Sequence, residues 1–260
     1  MPALNMITPA QLMRQIGLPD SPIIVDVRIP DDIAPDSRTI PTAIFHAHTD
    51  IDGLMDRIAG RKAVVVCHKG LKLSQGIAAL IRARGHAAEV LEGGFVGWLA
   101  QDGLTLGIDQ IPTSGQWVTR QRPKIDRIAC PWLIRRFIDP AAQIMFVLRA
   151  DVSAVAEKFD AVAFDTDGAP FTHVDDKCSF DVVLDGFGIR TEALDRMARV
   201  IRAADTNTHD GSPQAAGLLA MSVGLSKQHR DDNQMLEAAM PLYDALYRWA
   251  RDGFDEGHAE

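Results

Sequence analysis

The pattern of apolar and polar positions in the first half of the chain alternates between strand and helix periods. Short runs of β-branched and aliphatic residues predict strands over residues 23–27, 64–66 and 88–91. Thr8 is the expected N-cap of a first helix. Apolar residues spaced three and four apart predict three further helices, over residues 51–58, 74–84 and 97–101. Because helices separate the strands, this half is expected to be α/β, a parallel sheet with helices on both faces.

The second half has a less regular pattern in which helical periods dominate. Helices are predicted over residues 131–138, with Pro131 in the first turn, and over residues 152–158, 191–204, 213–223 and 233–251. Apolar runs predict strands over residues 144–148, 161–164 and 182–184, the last ending in the turn signal Asp185-Gly186. We therefore expect an α+β domain that is largely helical toward its C-terminal end.

The length of the chain predicts two domains. Its 260 residues exceed the usual size of a single small domain. Between the two patterned halves lies a stretch with Gly107, Pro112, Ser114 and Gly115, a composition typical of a linker. The predicted boundaries are a first domain over residues 1–107, a linker over 108–116 and a second domain over 117–260.

The composition is that of a globular protein, 47% apolar and 24% charged. No apolar run approaches the length of a transmembrane helix, and the N-terminal residues lack a signal-peptide pattern, so we expect a cytoplasmic protein without a membrane partner. Three cysteines far apart argue against a disulfide scaffold. The net charge is −8, of which −7 falls after Gly107, and this balance predicts no nucleic-acid partner.

Cys67 has the sequence surroundings of a reactive cysteine. It follows the predicted strand 64–66 and opens a short polar loop that leads into a helix, for which Ser74 is the expected N-cap. The unpaired N–H groups and the dipole of that helix, together with Lys69 and Lys72, favour the thiolate, which is the nucleophilic form. The alternative, a buried inert cysteine, predicts apolar neighbours, which this loop lacks.

Four ordered motifs in this half resemble those of the rhodanese (sulfurtransferase) domain. They are the six-residue loop 67–72, a strand ending in Asp-x-Arg at 24–28, the segment 40–43, and a Gly-Gly-Phe-x-x-Trp segment within 91–98. The resemblance covers about residues 5–107 and implies that Asp26 and Arg28 pair to support the loop. It implies that Cys67 is catalytic, with Lys72 standing where many members carry Arg, and that four loop residues bind the substrate: His68, Lys69, Gly70 and Leu71.

The activity implied by this resemblance is transfer of sulfur through a Cys67 persulfide. A small-molecule donor such as thiosulfate would supply the sulfur and a thiol acceptor or cyanide would remove it, with ping-pong kinetics and no cofactor. A non-catalytic sensor of oxyanions or redox state, built on the same fold, is the alternative. A phosphate- or arsenate-ester enzyme is disfavoured, because related phosphatases use a loop one residue longer that ends in Arg.

Residues 117–139 form a string that resembles the C-terminal domain of the chromate-resistance protein family. Shorter motifs at 164–165, 172–173, 178–181 and 203–205 extend the resemblance over roughly residues 117–255. The resemblance implies that this domain senses or handles chromate, a tetrahedral dianion shaped like sulfate. An oxyanion of this shape is therefore an expected partner.

Six basic residues crowd the start of the second half, with only Asp126 opposing them: Arg120, Arg122, Lys124, Arg127, Arg135 and Arg136. One interpretation is a solvated basic face with ordinary surface ion pairs. The other is an oxyanion site, in which Arg127 and Arg135 converge near the start of a helix.

A second polar set in this half has the residue types of a metal site. His173 would bind zinc or iron(II) together with Asp181 and Asp205, and Cys178 is a further candidate ligand. The spacing matches no closed zinc motif. The alternative interpretation is a hydrogen-bonded turn followed by a strand.

Overall fold

The computed structural model describes residues 5–257 and divides into two compact units, one ending at Gln110 and the other beginning at Ile111. The two-domain layout predicted from the sequence is therefore present. Among the residues described, no helix is both long and apolar enough to cross a membrane.

The first unit is built on a five-stranded sheet in which every pairing is parallel, with strand order β1-β6-β5-β2-β4. Its strands are β1 (Met6–Ile7), β2 (Ile23–Asp26), β4 (Ile44–Phe45), β5 (Ala63–Val66) and β6 (Ala88–Leu91). A separate antiparallel pair joins β3 (Arg38–Thr39) to β7 (Leu106–Gly107). The helices are α1 (Pro9–Met13), α2 (Pro30–Ile33), α3 (Ile51–Ile58), α4 (Lys72–Ala83) and α5 (Gly94–Leu99), followed by a 3-10 turn at Ile108–Gln110.

Both faces of this sheet are buried, as the α/β prediction requires. Val25 and Val65 pack on one side in a cluster with Leu54 of α3 and Ile81 of α4. Ile24, Val64 and Val66, which alternate with them along β2 and β5, are also almost fully buried. The Cys67 loop starts at the carboxyl end of the central strand β5. Ligands bind at the carboxyl ends of strands in parallel sheets.

Two helix starts test the capping predictions of the first half. Thr8 caps α1 through a capping box, in which its side chain accepts from the Gln11 N–H and the Gln11 side chain accepts from the Thr8 N–H. The expectation that Ser74 is the N-cap of the helix after the Cys67 loop is wrong. The helix α4 begins two residues earlier, with Leu71 as its N-cap, and Ser74 lies fully buried in the first turn.

In its described residues, 111–257, the second unit combines a small parallel sheet with six α-helices. The sheet order is β10-β8-β9, with β8 (Gln116–Arg120), β9 (Gln143–Val147) and β10 (Val162–Ala163). The helices are α6 (Asp126–Leu133), α7 (Val152–Phe159), α8 (Ser179–Phe187), α9 (Glu192–Asp205), α10 (Gln214–Gln228) and α11 (Asp232–Asp252). A π-helical turn at Ile134–Ile138 extends α6, and 3-10 turns lie at Arg149–Asp151 and His209–Gly211. The expected α+β, largely helical architecture is confirmed.

Three local predictions for this unit are wrong. The sequence pattern did not predict strand β8. Pro131 lies inside α6 rather than in its first turn, and the helix changes to π geometry at Ile134, shortly after the residue that removes a helical N–H. The segment 182–184 is part of helix α8, which continues through Asp185-Gly186 and ends at Gly188, the residue with a left-handed backbone (φ +64°).

Candidate functional sites

Cys67 lies where the sequence predicted, between the end of β5 and the start of α4. Its side chain is 5% exposed. The Sγ atom is 3.1 Å from Ser74 Oγ, and that hydroxyl also lies 3.1 Å from the Leu71 carbonyl oxygen, to which it donates. A hydroxyl hydrogen rotates freely, so Ser74 can donate either to Leu71 or, once the thiol has lost its proton, to the sulfur.

The backbone of the loop presents a run of unsatisfied donors. Within the described range 5–257, no N–H group from His68 to Ser74 donates to a protein acceptor, and the first that does is Gln75, which bonds the Leu71 carbonyl. These residues follow the carboxyl end of β5 and lead into the N-terminus of α4. Such a run of N–H groups can bind an anion or a negatively charged sulfur.

Two glycines allow the loop to approach the segment that closes the domain. Gly70 and Gly94 both have left-handed backbones, with φ of +69° and +59°. A Cβ on Gly94 would lie 2.3 Å from both the Cys67 carbonyl oxygen and the Gly70 nitrogen. The N–H of Phe95 donates to the same Cys67 carbonyl (3.0 Å), and that of Val96 donates to the His68 carbonyl (3.0 Å). The start of α5 therefore holds the loop in place.

Asp26 and Arg28 form the expected buried pair, and Arg28 packs against Phe95 of α5. The Arg28 Nη2 atom lies 2.7 Å from Asp26 Oδ2, and Nε donates to both carboxylate oxygens. The guanidinium stacks over the Phe95 ring at 3.8 Å and bonds the Arg38 carbonyl. Three of the remaining loop side chains are exposed: Lys69, Leu71 and Lys72. His68 is half-buried, and its Nδ1 atom is buried without a hydrogen-bond partner among the described residues.

The second unit assembles a different polar site around the His173 imidazole. The Nε2 atom of His173 lies 3.4 Å from Asp126 Oδ2, 3.2 Å from Asp205 Oδ2 and 3.5 Å from Asp165 Oδ1. Asp126 is the first residue of α6, Asp205 is the last residue of α9, and Asp165 follows β10. Ligand atoms of Asp126, His173 and Asp205 all lie within 4.8 Å of one another, which is a metal-like grouping.

Three carboxylates lie close to one imidazole, and this crowding shifts the pKa values of His173 and Asp205. The hydrogen bond to Asp126 is the largest influence on His173 and raises its pKa to about 9, against the opposing effect of burial. Burial, together with the charges of Asp126 and Asp165, raises the pKa of Asp205 to about 6. In the absence of any other cation, the site therefore holds a protonated His173.

The predicted ligand set was partly wrong, because Asp181 lies outside this group. Its Oδ2 accepts from the N–H and the thiol of Cys178, and its carboxylate lies within 4 Å of Arg190 and Arg202. Asp126 takes its place, a residue that the sequence showed only as an isolated acid in a basic run. Burial raises the pKa of the thiols of Cys130 and Cys178, and neither thiol belongs to the grouping of Asp126, His173 and Asp205.

The predicted convergence of Arg127 and Arg135 is not seen, since the two side chains bind different partners. Arg127 Nε lies 3.1 Å from Asp165 Oδ2, and its Nη1 donates to the Gln121 carbonyl. Arg135 bonds the Ala142 carbonyl and the Glu237 carboxylate. Arg120, Arg127, Arg135 and Arg136 are ion-paired. Their side chains are partly buried and Asp165 is buried, so these pairs differ from the solvated surface pairs of the first interpretation.

Comparison with known proteins gives matches to both halves. The model of the rhodanese-like domain matches residues 8–101, and that of the ChrB C-terminal domain matches residues 117–250. Protein ChrB of Cupriavidus metallidurans is 39% identical over 135 residues, which are 51% of this chain and 40% of that protein. The chain therefore matches less than half the length of this curated relative.

Three similar solved structures each cover 36–40% of this chain. A thiosulfate sulfurtransferase from Pseudomonas aeruginosa is 23% identical, with a TM-score of 0.33, over 40% of this chain and 19% of that one. A protein of unknown function from Rhodopseudomonas palustris, described as a possible tyrosine phosphatase, is 22% identical, with a TM-score of 0.34, over 39% of this chain and 84% of that one. A rhodanese-like domain protein from Staphylococcus aureus is 27% identical, with a TM-score of 0.30, over 36% of this chain and 91% of that one.

Proposed function

The chain belongs to the family of the ChrB C-terminal domain and carries a rhodanese-like domain ahead of it, and from this premise we propose that the first domain is a sulfurtransferase acting through Cys67. The observation that supports this proposal best is the pairing of a buried Sγ with the free N–H groups from His68 to Ser74. A second domain of the type associated with chromate resistance accompanies this chemistry.

The proposed reaction has two steps, and the second step returns Cys67 to its starting state. The Cys67 thiolate attacks the outer sulfur of thiosulfate, the S–S bond of the donor breaks, and sulfite leaves with the electron pair. The outer sulfur stays on Cys67 as a persulfide. A thiolate or cyanide then attacks this terminal sulfur and releases the Cys67 thiolate, so that the enzyme is regenerated without a cofactor.

The loop supports each charged state that this sequence of steps requires. The N–H groups from His68 to Ser74 can bind the terminal sulfur of the persulfide, which carries negative charge. Ser74 Oγ, 3.1 Å from Sγ, can donate to the thiolate between turnovers. The exposed ammonium groups of Lys69 and Lys72 would attract an anionic donor such as thiosulfate to the loop.

The role of the second domain is part of the same proposal. We propose that it couples the sulfur chemistry to a tetrahedral oxyanion such as chromate or sulfate. The reaction is proposed to run in the cytoplasm, where persulfide chemistry needs reduced thiols, and all three cysteines are free.

Intact mass after exposure of the full chain to thiosulfate tests the proposal. Wild-type protein should gain the mass of one sulfur, and peptide mapping should place it on Cys67, with the buried Cys130 and Cys178 as unlabelled internal controls. Cys67→Ser should lose the added sulfur and the turnover of thiosulfate with cyanide. Equal labelling of the Ser variant would refute the assignment.

The same experiment separates the enzyme from the non-catalytic sensor. An enzyme turns over many equivalents of thiosulfate with cyanide or a thiol as acceptor. A protein that gains one sulfur but shows no turnover with either acceptor would be a sensor that reads sulfur or redox state through Cys67.

A further inference from the structure

We infer that Asp126, His173 and Asp205 form a binding site for one divalent first-row transition metal ion of the zinc or iron(II) type. The site lies wholly in the second domain and does not depend on the sulfurtransferase proposal. It keeps two of the three ligands suggested by the sequence and replaces Asp181 with Asp126.

The spacing of the donor atoms fits a small metal ion. With bonds of about 2.1 Å in a tetrahedral site, neighbouring ligand atoms lie about 3.4 Å apart. The distances from His173 Nε2 to Asp126 Oδ2 and Asp205 Oδ2 are 3.4 Å and 3.2 Å. Asp165 Oδ1, at 3.5 Å from the same nitrogen, is placed to act as a fourth ligand or as an outer partner.

A buried carboxylate oxygen in the site lacks a partner, which is an independent sign of a ligand. Asp126 is 1% exposed, and its Oδ1 accepts no hydrogen bond from the described residues. Its Oδ2 is bound by the Ser179 N–H at 2.6 Å. Because burial of an unpaired charged oxygen is costly, a cation at this carboxylate would remove an unfavourable contribution to the free energy of folding.

The negative charges of Asp126 and Asp205 are not balanced by a lysine or arginine among the described residues, so a dication can bind between them. Arg120 and Arg127 both lie 3.1 Å from Asp165 Oδ2, so this third carboxylate already has its cations. Across residues 5–257, no lysine or arginine lies within 4 Å of the carboxylate oxygens of Asp126 or Asp205, and His173 is the basic side chain that contacts both. A divalent ion balances these two carboxylates and lets His173 bind as a neutral imidazole.

The types of ligand select the class of metal. One imidazole with two or three carboxylates suits zinc, iron(II) or manganese, whereas magnesium and calcium prefer oxygen ligands alone. His173 is 42% exposed, so solvent can reach the ion and complete its coordination. Three protein ligands with a solvent position are typical of a reactive rather than a purely structural metal site.

The surrounding hydrogen bonds orient the ligands as outer-shell partners do. The N–H of Ser179 holds Asp126 from the start of α8, and the Ser179 hydroxyl donates to Asp165 Oδ1 at 3.0 Å. Arg120 fixes Asp165 from β8 through its side-chain and backbone oxygens. Carboxylates held in this way are pre-positioned for an ion.

The test uses the full chain purified without a polyhistidine tag, stripped with EDTA and titrated with Zn²⁺, Mn²⁺ or Mg²⁺. Elemental analysis after dialysis and thermal unfolding report binding without any assay of activity. We expect one equivalent of Zn²⁺ and a raised Tm, with little effect of Mg²⁺. His173→Gln and Asp205→Asn, both at partly exposed positions, should each weaken Zn²⁺ binding at least as much as loss of an outer partner does, about 10–100-fold.

Two aspartates provide matched controls. Asp176→Asn removes an exposed charge from the same loop, and Asp181→Asn removes the ligand suggested by sequence alone, so both should retain one equivalent. Wild-type protein that binds no Zn²⁺ at millimolar concentration would overturn the inference, as would undiminished binding by both His173→Gln and Asp205→Asn. In that case His173 and its aspartates form only an ion-pair network.

Discussion

Two aspartates, Asp26 in the first domain and Asp126 in the second, are each 1% exposed but have opposite surroundings. Arg28 donates to both oxygens of Asp26, so the cation that this carboxylate needs is supplied by the fold. Asp126 has one unpartnered oxygen, and His173 is the basic side chain at its other oxygen. A buried carboxylate with its own arginine indicates a structural pair, whereas one without a permanent cation indicates a ligand site.

The two sites also differ in how they are supported. The Cys67 loop is built from contiguous residues, and its binding groups are backbone N–H groups fixed by glycines. The His173 cluster is built from side chains that three helices or loops bring together, at positions as far apart as Asp126 and Asp205. Changes of backbone shape should therefore damage the first site most, and removal of single side-chain atoms the second.

The largest expected effect compares the two buried aspartates directly. Asp26→Asn should lower the free energy of unfolding by about 3–5 kcal/mol, because it leaves the Arg28 guanidinium buried without its counter-charge. Asp126→Asn should cost EDTA-treated protein less than Asp26→Asn does, because the partly exposed His173 beside Asp126 can return to a neutral imidazole, whereas Arg28 cannot lose its charge. Urea unfolding of both variants checks the difference.

A matched charge removal at the surface controls for the loss of an acid as such. Asp52→Asn breaks an exposed pair with Arg84 and should change the free energy of unfolding by less than about 1 kcal/mol. An equal loss of stability for Asp26→Asn and Asp126→Asn would show that both aspartates are structural, and the contrast between them would fail.

The second prediction concerns the backbone support of the Cys67 loop. Gly94→Ala places a Cβ 2.3 Å from the Cys67 carbonyl and forces a left-handed alanine, which costs about 1–3 kcal/mol before the clash is counted. Gly76→Ala, in helix α4 with no atom near its Cβ position, should instead stabilise by about 0.5–1 kcal/mol. Chemical denaturation should show opposite changes in stability for the two variants, and persulfide formation should fall in Gly94→Ala and stay at the wild-type level in Gly76→Ala. A Gly94→Ala protein that labels normally would contradict the proposed support.

Sequence patterns were sufficient to locate the contiguous site around Cys67. The runs that form β5 and α4 are local, so the position of Cys67 at the carboxyl end of the central strand followed from neighbouring residues. The identity of the helix cap did not follow, because Ser74 is a favourable cap by residue type but packs under the loop instead. The free N–H groups at the start of α4 were expected from the sequence, whereas the closure by Gly94 depends on a contact between segments that are distant in the sequence.

The dispersed site shows why sequence patterns were insufficient in the second domain. Phe180, Val183, Leu184 and Phe187 are buried at helical spacing, which the turn signal Asp185-Gly186 obscured. Residue type alone suggested that Asp181 joins His173. It is instead held to Cys178 in the first turn of α8. Asp126 could be identified only once α6 and α9 were packed together.

The third prediction tests whether the proposed metal ligands depend on their outer partners. Ser179→Ala removes the hydroxyl that donates to Asp165 Oδ1 and keeps the N–H that holds Asp126. Zn²⁺ binding should weaken about 10–100-fold, which corresponds to about 1.4–2.7 kcal/mol. Ser212→Ala, whose hydroxyl bonds Gln214, is the control and should bind as tightly as wild type. Identical titrations for the two variants would mean that Asp165 has no part in the site.

The smallest expected effect is at Lys72, the side chain where the contiguous site departs from the arginine that many rhodanese domains carry. Lys72 is exposed, so it contributes charge rather than a fixed contact, and the backbone N–H groups remain when it is removed. Lys72→Ala should slow thiosulfate turnover about tenfold, or about 1.4 kcal/mol, while Lys72→Arg keeps or raises it. The loss should shrink at high salt, because screening weakens attraction between an exposed ammonium and an anionic donor. Full activity of Lys72→Ala at low salt would show that the N–H groups suffice alone.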